Sequence, residues 1–391
     1  MKKILFFPLL DSLPSGHHQV ANSVMNYVSS RSTDIQCKKI DLLNRWNPHL
    51  ESMITKTYLG WIQKFPESYA WIYRKLAYKS KQNRSYKHYE MLFQHKMEEI
   101  IMEEKPDLII CTHAFPSYLL NRLKQYGACD VPVVNIYTDF FVNDVWGKEM
   151  IEYHFVSDIR MKNQLMEEFH IPANKIKVTG IPVDESFSSP SSRKKEEHPI
   201  TILLSGGSAG LGNIMELLTK VKKDGQLTFK VLCGNNHSLF QEVSNLNNPN
   251  IQPLPYISSR SEMNKWYDLA DAIITKPGGV TISESLKKKV PIFIHSVLPG
   301  QEEINLQYLR KQGLVFTIRD TIELLDLLSN KQVMKEYEQS LYRYRNTQDF
   351  QDPEEIFIFL ESLVNKRDQR RQINQIIEKK MMKIMGGVSG D

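Results

Sequence analysis

Two short apolar runs, each released into a glycine turn that opens a helix, occupy Ala272 to Asn305 and restrict the fold more than any other stretch. Ala272 to Thr275 ends at Lys276-Pro277-Gly278-Gly279, where the glycines let the backbone approach a ligand without side-chain interference. Thr281 or Ser283 then caps a helix that carries Glu284 in its first turn. Pro291 to His295 returns as a strand and leaves through Pro299-Gly300-Gln301-Glu302-Glu303. Consecutive strand ends of an α/β sheet share an edge, so both turns deliver polar side chains and backbone N–H groups to one place. An anionic ligand there meets two helix N-termini.

A chain of 391 residues exceeds one ordinary core and suits two α/β domains. The net charge of +5 is a modest excess, so a basic partner surface must come from local clustering. Cys37, Cys111, Cys129 and Cys233 are scattered, with no C-x-x-C pair, and read as buried thiols of a reducing compartment. Lys2-Lys3 followed by Ile4 to Leu10 is too short for a signal peptide. No apolar run approaches the roughly 20 residues of a membrane helix. The expectation is a cytoplasmic protein that meets membranes only at their surface.

Taken in order, Ile4 to Leu10 reads as a buried first strand, and Pro14 to Ala21 as the loop and helix start after it. A loop leaving the first strand of a doubly wound sheet points into the ligand cleft, which makes His17 the first candidate for chemistry, with a helix brace as the plainer alternative. Ile35 to Leu43 is the second strand. From residue 46 to 96 aromatics such as Tyr58, Trp61, Tyr69 and Trp71 alternate with Lys56, Lys64, Arg74 and Lys75. Such a mixture suits a bilayer interface or nucleic acid, or else a helical insertion with its rings packed inward. Two further strand exits deliver His113, and then Thr138 and Asp139, toward the same cleft as His17.

A polar, Ser-rich connector over 184–198 separates a first domain, 1–183, from a second, 199–351. The second opens with an apolar strand and Gly206-Gly207-Ser208-Ala209-Gly210, in form a phosphate cradle. Asp352-Pro353-Glu354 starts another helix, 352–365. The tail 366–391 mixes basic and apolar residues, as a basic amphipathic helix on a membrane or a solvated, disordered segment. No Asp-x-Asp motif indicates a metal-held diphosphate, and no recognised module indicates nucleic acid.

The pair KPGGVTISE and PGQEEIN resembles the donor half of the glycosyltransferases that make glycosyl-diacylglycerols. These are the bacterial processive diacylglycerol glucosyltransferases and the plant monogalactosyldiacylglycerol synthases, of glycosyltransferase family 28 type. More distantly the pair resembles the N-acetylglucosaminyltransferase that completes lipid II. The resemblance implies a GT-B fold, two doubly wound Rossmann-like domains facing across a cleft, with the helix from 352 crossing back to the first domain. It implies that His17 acts near the acceptor hydroxyl, and that the 46–96 region reaches a lipid acceptor at an anionic membrane surface. The donor would be a UDP-hexose, a co-substrate with no further cofactor and no metal. Gly207, Ser208, Lys276, Gly278, Gly279 and Thr281 would line the donor site. Tyr256 and Ile257 would lie beside the uracil, Glu284 on the ribose, and Gln301, Glu302 and Asn305 on the sugar.

The resemblance persists through Thr138-Asp139-Phe140 and Trp146, but relatives carry His where this chain has Asn143 and Lys148. With His113 and Trp146, those two would face the acceptor headgroup. The expected reaction is inverting transfer of a hexose to a lipid hydroxyl, of diacylglycerol or a glycolipid, at the inner face of the cell membrane. His17 is the expected base, with Asp139 as a second base or its orienter. The alternatives are a non-catalytic UDP-sugar-binding regulator and a GT-B enzyme with a soluble acceptor.

Overall fold

The computed structural model describes residues 1–10, 15–64, 67, 68, 87–187, 199–206, 214–223 and 225–386. Among them, one sheet contains β1 (Lys2–Phe7), β2 (Ile35–Lys39), β3 (Leu108–Cys111), β4 (Val133–Ile136), β5 (Tyr153–Val156) and β6 (Ile176–Val178). The other contains β7 (Ile200–Ser205), β8 (Leu227–Leu232), β9 (Ile251–Leu254), β10 (Ala272–Thr275), β11 (Ile292–Ile294) and β12 (Phe316–Thr317). Every pairing in both sheets is parallel. The sequence reason is the apolar run: Leu108–Cys111 and Val133–Ile136 are buried at every position, as strands covered by helices on both faces must be.

The strand orders are β2-β1-β3-β4-β5-β6 and β12-β11-β10-β7-β8-β9. Each order reverses direction once, between β1 and β3 in the first sheet and between β7 and β10 in the second. Chains leaving two strands at such a switch point diverge and open a crevice at the carboxyl ends. The two crevices face each other.

One apolar cluster is private to each sheet, and a third is shared. The shared cluster joins Val20 and Val24 of the first domain to Val280 and Ile282 of the second, through Ile181, Val183 and Phe187 of the connection. The helix Pro353–Gly386 returns to the first sheet and places Leu360 and Val364 in that cluster. Lys2 Nζ donates to Asn365 Oδ1 at 2.5 Å, and Arg367 pairs with Asp130 at 2.5 Å. This helix runs without interruption past residue 365, where the sequence suggested a change of character.

Three other boundaries differ from expectation. β1 ends at Phe7, because Leu10 takes a left-handed conformation (φ 64°) that no strand continues through. β2 ends at Lys39, because Asp41 accepts bonds from the N–H groups of Leu43 and Asn44 and so caps a helix, Leu42–Trp46. The helix expected to be capped by Thr281 or Ser283 starts earlier and spans Gly279–Lys288, with Gly278 at its cap. Glu284 therefore lies in its second turn.

That earlier start has a packing cause. A Cβ on Gly279 would sit 1.9 Å from the carbonyl oxygen of Thr138, whereas one on Gly278 would meet nothing within 4 Å. Gly279 is thus the contact between domains. Residues 65, 66 and 69–86 of the aromatic and basic region lie outside the described residues. At its margin Phe93 packs inward, edge-on to Trp46 (5.0 Å) and Phe115 (5.2 Å). No helix among the described residues is long and apolar enough to cross a membrane.

Gly279→Ala is expected to destabilise the fold by about 1–3 kcal/mol, because backbone must shift to admit the methyl group. Gly278→Ala is expected to stay within about 1 kcal/mol, the cost of a poorer cap. Urea unfolding midpoints at unchanged m-value measure both, and equal midpoints would remove Gly279 from its packing role.

Candidate active site

The first crevice is built around His17. The turn after β1 opens the helix Gly16–Ser29, and the turn after β3 opens the helix Ala114–Gln125 with His113 at its cap. His17 Nδ1 lies 2.7 Å from the carbonyl oxygen of Thr112 and 2.9 Å from Thr138 Oγ1. A carbonyl only accepts, so Nδ1 carries the proton and Nε2 keeps its lone pair. Nε2 has no hydrogen-bond partner among the described residues. His113 is the opposite case, because its Nδ1 accepts from the N–H of Phe115 at 3.1 Å, which leaves the proton on Nε2.

The two rings meet edge-on, with centroids 4.7 Å apart. Burial lowers the pKa of His17, against the Asp139 carboxylate, which raises it. Burial lowers His113 well below the ordinary value, helped by His17 and His18. Both rings are therefore neutral near pH 7, one with an outward lone pair and the other with an outward N–H.

Asp139 lies at the exit of β4, yet its oxygens serve the other domain. Gln301 Nε2 donates to Oδ2 at 2.6 Å and Asn305 Nδ2 to Oδ1 at 3.0 Å. Asn305 Oδ1 in turn accepts from the N–H of Phe140 at 2.9 Å. The orienting partner of His17 is the Thr112 carbonyl, and Asp139 acts on the ring through its charge. Thr138, expected at this cleft, meets the ring through its hydroxyl, whereas Thr112 was not singled out, because a backbone acceptor leaves no mark in a sequence.

The second crevice is a partly open pocket at the β7/β10 switch point, lined in part by Ser205, Gly206, Thr275, Lys276, His295 and Ser296. Gly207 and Ser208, expected to cradle phosphate, lie outside the described residues. Lys276 Nζ and Glu302 Oε1 are 3.9 Å apart. Burial pushes the lysine down and the carboxyl up, and each charge opposes the other's shift. Glu302 Oε2 also accepts from the N–H of Leu298 at 2.7 Å. Gly300, at φ 101° and ψ −114°, makes the turn into the helix Gln301–Lys311 in a region side chains rarely enter.

Glu284, 4% exposed, pairs with Arg260 and accepts from the Tyr267 hydroxyl at 2.9 Å. The Arg260 guanidinium lies 4.9 Å over the ring of Phe187. Neither Arg260 nor Tyr267 was singled out from sequence, although Ser259-Arg260-Ser261-Glu262 announces their helix. Ser259 Oγ accepts from the Glu262 N–H at 3.2 Å, as an S-x-x-E start predicts. Tyr256 is half exposed and Ile257 partly buried, both just beyond β9. Thr281 sits inside the helix Gly279–Lys288, one turn from the cleft.

Of the residues expected on the acceptor side, His113 stands beside His17, while the other three do not join it. Trp146 is buried against Tyr137, with ring centroids 4.5 Å apart. Lys148 is buried, bonds the carbonyls of Trp146 (3.1 Å) and Asp144 (3.3 Å), and lies 4.3 Å over Phe169. Desolvation pushes its pKa down to about 8. Asn143 Oδ1 accepts from the Val145 N–H at 3.1 Å. All three hold the loop after β4 rather than present groups to the cleft. Among the described residues no group of three or more His, Cys, Asp or Glu is placed to hold a metal ion.

Two parallel, doubly wound domains with facing switch points define the GT-B glycosyltransferase architecture. The profile of the monogalactosyldiacylglycerol (MGDG) synthases matches residues 17–183, and that of the glycosyltransferase family 28 C-terminal domain matches residues 201–354. The chain is 45% identical over 323 residues to the uncharacterised glycosyltransferase YkoN of Bacillus subtilis, covering 82% of this chain and 85% of that one. A processive diacylglycerol beta-glucosyltransferase of Bacillus cereus is 31% identical over 237 residues, 59% of this chain and 60% of its own length. MurG of Acinetobacter baumannii superposes with a TM-score of 0.59 at 15% identity, covering 93% of this chain and 100% of that one. The UDP complex of MnaA from S. aureus superposes with a TM-score of 0.56 at 12% identity, covering 92% of this chain and 95% of that one. The chain belongs to the glycosyltransferase family of the MGDG synthases and processive diacylglycerol glucosyltransferases, with a family 28 C-terminal domain.

Arg260→Gln is expected to cost about 1–3 kcal/mol, since Glu284 loses its charged partner. Adding Glu284→Gln should recover much of that loss, because no buried charge then remains. Denaturant unfolding of the two single variants and the double variant measures the coupling. Strictly additive losses would show that the pair does not interact.

Proposed function

We propose that the protein transfers a hexose from a UDP-sugar to a lipid hydroxyl, diacylglycerol or a glycolipid, at the surface of a membrane. The observation that carries the reading is the state of His17: a neutral ring, Nδ1–H pinned to a backbone carbonyl, and an unpartnered Nε2 at the first crevice. A general base needs that arrangement. The lipid acceptor is supported by the diacylglycerol named for the B. cereus relative. The donor is supported by the pocket at the β7/β10 switch point, where such folds bind nucleotides, and by the UDP in the MnaA structure.

In this reaction the acceptor oxygen attacks the anomeric carbon while the bond from that carbon to the diphosphate oxygen breaks, which inverts the configuration. The acceptor proton passes to His17 Nε2, and the Thr112 carbonyl holds the ring in position throughout. The imidazolium that results is stabilised by the Asp139 carboxylate, whose charge raises the His17 pKa. Lys276 and the helix start at Gly279 offer positive potential to the departing diphosphate. Glu284 would take the ribose hydroxyls, with Arg260 and Tyr267 fixing its carboxylate.

His17→Ala is expected to lower kcat by about 10² to 10⁴, the usual contribution of a general base, with UDP-sugar affinity unchanged. The base works deprotonated and its pKa is lowered, so the acid limb of the rate profile falls below pH 6.5. Asp139→Asn removes a charge that raises that pKa, so the limb moves further toward acid. Initial rates against pH measure both; a limb that moves up in Asp139→Asn would contradict the electrostatic role. The reaction itself is tested by transfer from radiolabelled UDP-glucose and UDP-galactose to diacylglycerol in anionic liposomes. Label in the lipid phase is the expected result. Tight UDP-sugar binding with no lipid label would sink the lipid acceptor.

A further inference from the structure

Behind the cleft lies a second, partly open pocket, where three segments meet. They are the connection leaving β6 at Gly180, the C-terminal half of the helix Gly279–Lys288, and the end of the helix Lys331–Asn346 with Gln348 just beyond it. The lining contains two cations, Lys287 and Arg345, and no carboxylate. Lys287 donates to the carbonyl of Gln351. The Arg345 guanidinium has neither an ion pair nor a hydrogen bond among the described residues. Ser283, 5% exposed, lines the same pocket with an Oγ that finds no partner among the described residues.

A buried hydroxyl without a partner is uncommon, and two cations facing one cavity without an anion repel each other. Burial lowers the Lys287 pKa and Arg345 lowers it further, while Asp352 and Glu355, which lie outside the lining, act against them. The remaining polar groups are already engaged: the Tyr344 hydroxyl donates to the Ser157 carbonyl at 3.0 Å, and Gln348 bonds that hydroxyl. Gly180 stands at φ +68°, and a Cβ there would lie 2.9 Å from Gln348 Nε2, so the connection passes the pocket wall closely.

We propose that this hinge pocket binds a small soluble phosphate or phosphoester, held between Arg345, Lys287 and the Ser283 hydroxyl. Arginine and lysine supply charge-assisted bonds to phosphate oxygens, and the serine hydroxyl donates a third. A soluble source fits better than a lipid, because the apolar members of the lining, Ile181, Leu286 and Tyr344, are all buried and leave nothing at the mouth to enter a bilayer. The bound anion ties the interdomain connection to the helix whose N-terminus faces the cleft, so occupancy stiffens the hinge. The site is independent of the reaction proposed above.

The test is titration of the full chain with inorganic phosphate at constant ionic strength, by calorimetry. Saturable binding is expected, weakened at least about ten-fold in Arg345→Gln and in Lys287→Gln, and less in Ser283→Ala. Hydrogen exchange at residues 179–181 should slow with phosphate in the wild type and not in Arg345→Gln. Phosphatidylcholine vesicles carrying phosphatidate should not displace the phosphate. Equal affinity in wild type and all three variants would overturn the site, since phosphate at the β7/β10 crevice would survive these changes unaltered. Displacement by the phosphatidate vesicles would overturn the soluble source. Unchanged unfolding midpoints of the variants without phosphate confirm that any loss is a loss of binding, and Ser283→Ala, which removes one oxygen, guards against a misfolded charge variant.

Discussion

The approach of the helix Gly279–Lys288 to the exit of β4 sets the distance between the two domains, and it is set at the backbone. Where the Cβ of residue 279 would be, the Thr138 carbonyl already stands, 1.9 Å away. Only a residue without a side chain closes that gap. Once it is closed, Asp139 comes within reach of Gln301 and Asn305, and the carboxylate exchanges water for two amide donors. Asn305 is 1% exposed, and the Phe140 N–H satisfies its remaining oxygen. The polar groups sealed by the contact are thereby paired, which is the condition for burying them at all.

The two glycines of Lys276-Pro277-Gly278-Gly279 consequently divide their work. Gly279 serves packing, while Gly278 caps the helix beside open space, where a ligand can come close to the chain. Gln301 and Asn305 have a double attachment of the same kind. On the proposed function they hold the donor sugar, yet both are bonded to a carboxylate of the acceptor domain. A sugar must therefore join or displace Asp139 at those amides, and donor occupancy becomes coupled to the contact between domains. The charge of Asp139 also raises the pKa of His17, so a change at the amides is felt at the base.

Much of this architecture was legible in the chain, for a definite reason. Runs such as Leu108–Cys111 and Ala272–Thr275 have no polar position, and only a strand covered on both faces accepts that. Elements set by a single polar residue were harder. Asp41 interrupts an apolar run and looks like a flaw in a strand until its carboxylate is seen capping the next helix. Thr281 and Ser283 looked like caps because their hydroxyls suit the role, but the tertiary contact at Gly279 drew the helix start back to Gly278. Trp146 and Lys148 were set on the acceptor side by the resemblance alone, whereas Tyr137 and two carbonyls draw them inward.

The polarity of the two histidines is the part that no side-chain pattern encodes. His17 and His113 are the same residue in two turns at one switch point, and their rings touch. What separates them is the backbone leaving β3. The carbonyl of Thr112 faces His17 and fixes its proton inward, while one turn of chain later the free N–H at the start of a helix faces His113 and fixes its proton outward. A strand end exposes carbonyls and a helix start exposes N–H groups, so a β-to-α turn carries both polarities within a few residues. The two neutral imidazoles across this turn therefore differ in tautomer, one left with an acceptor nitrogen and the other with a donor, and the Asp139 charge bears on the acceptor ring, His17.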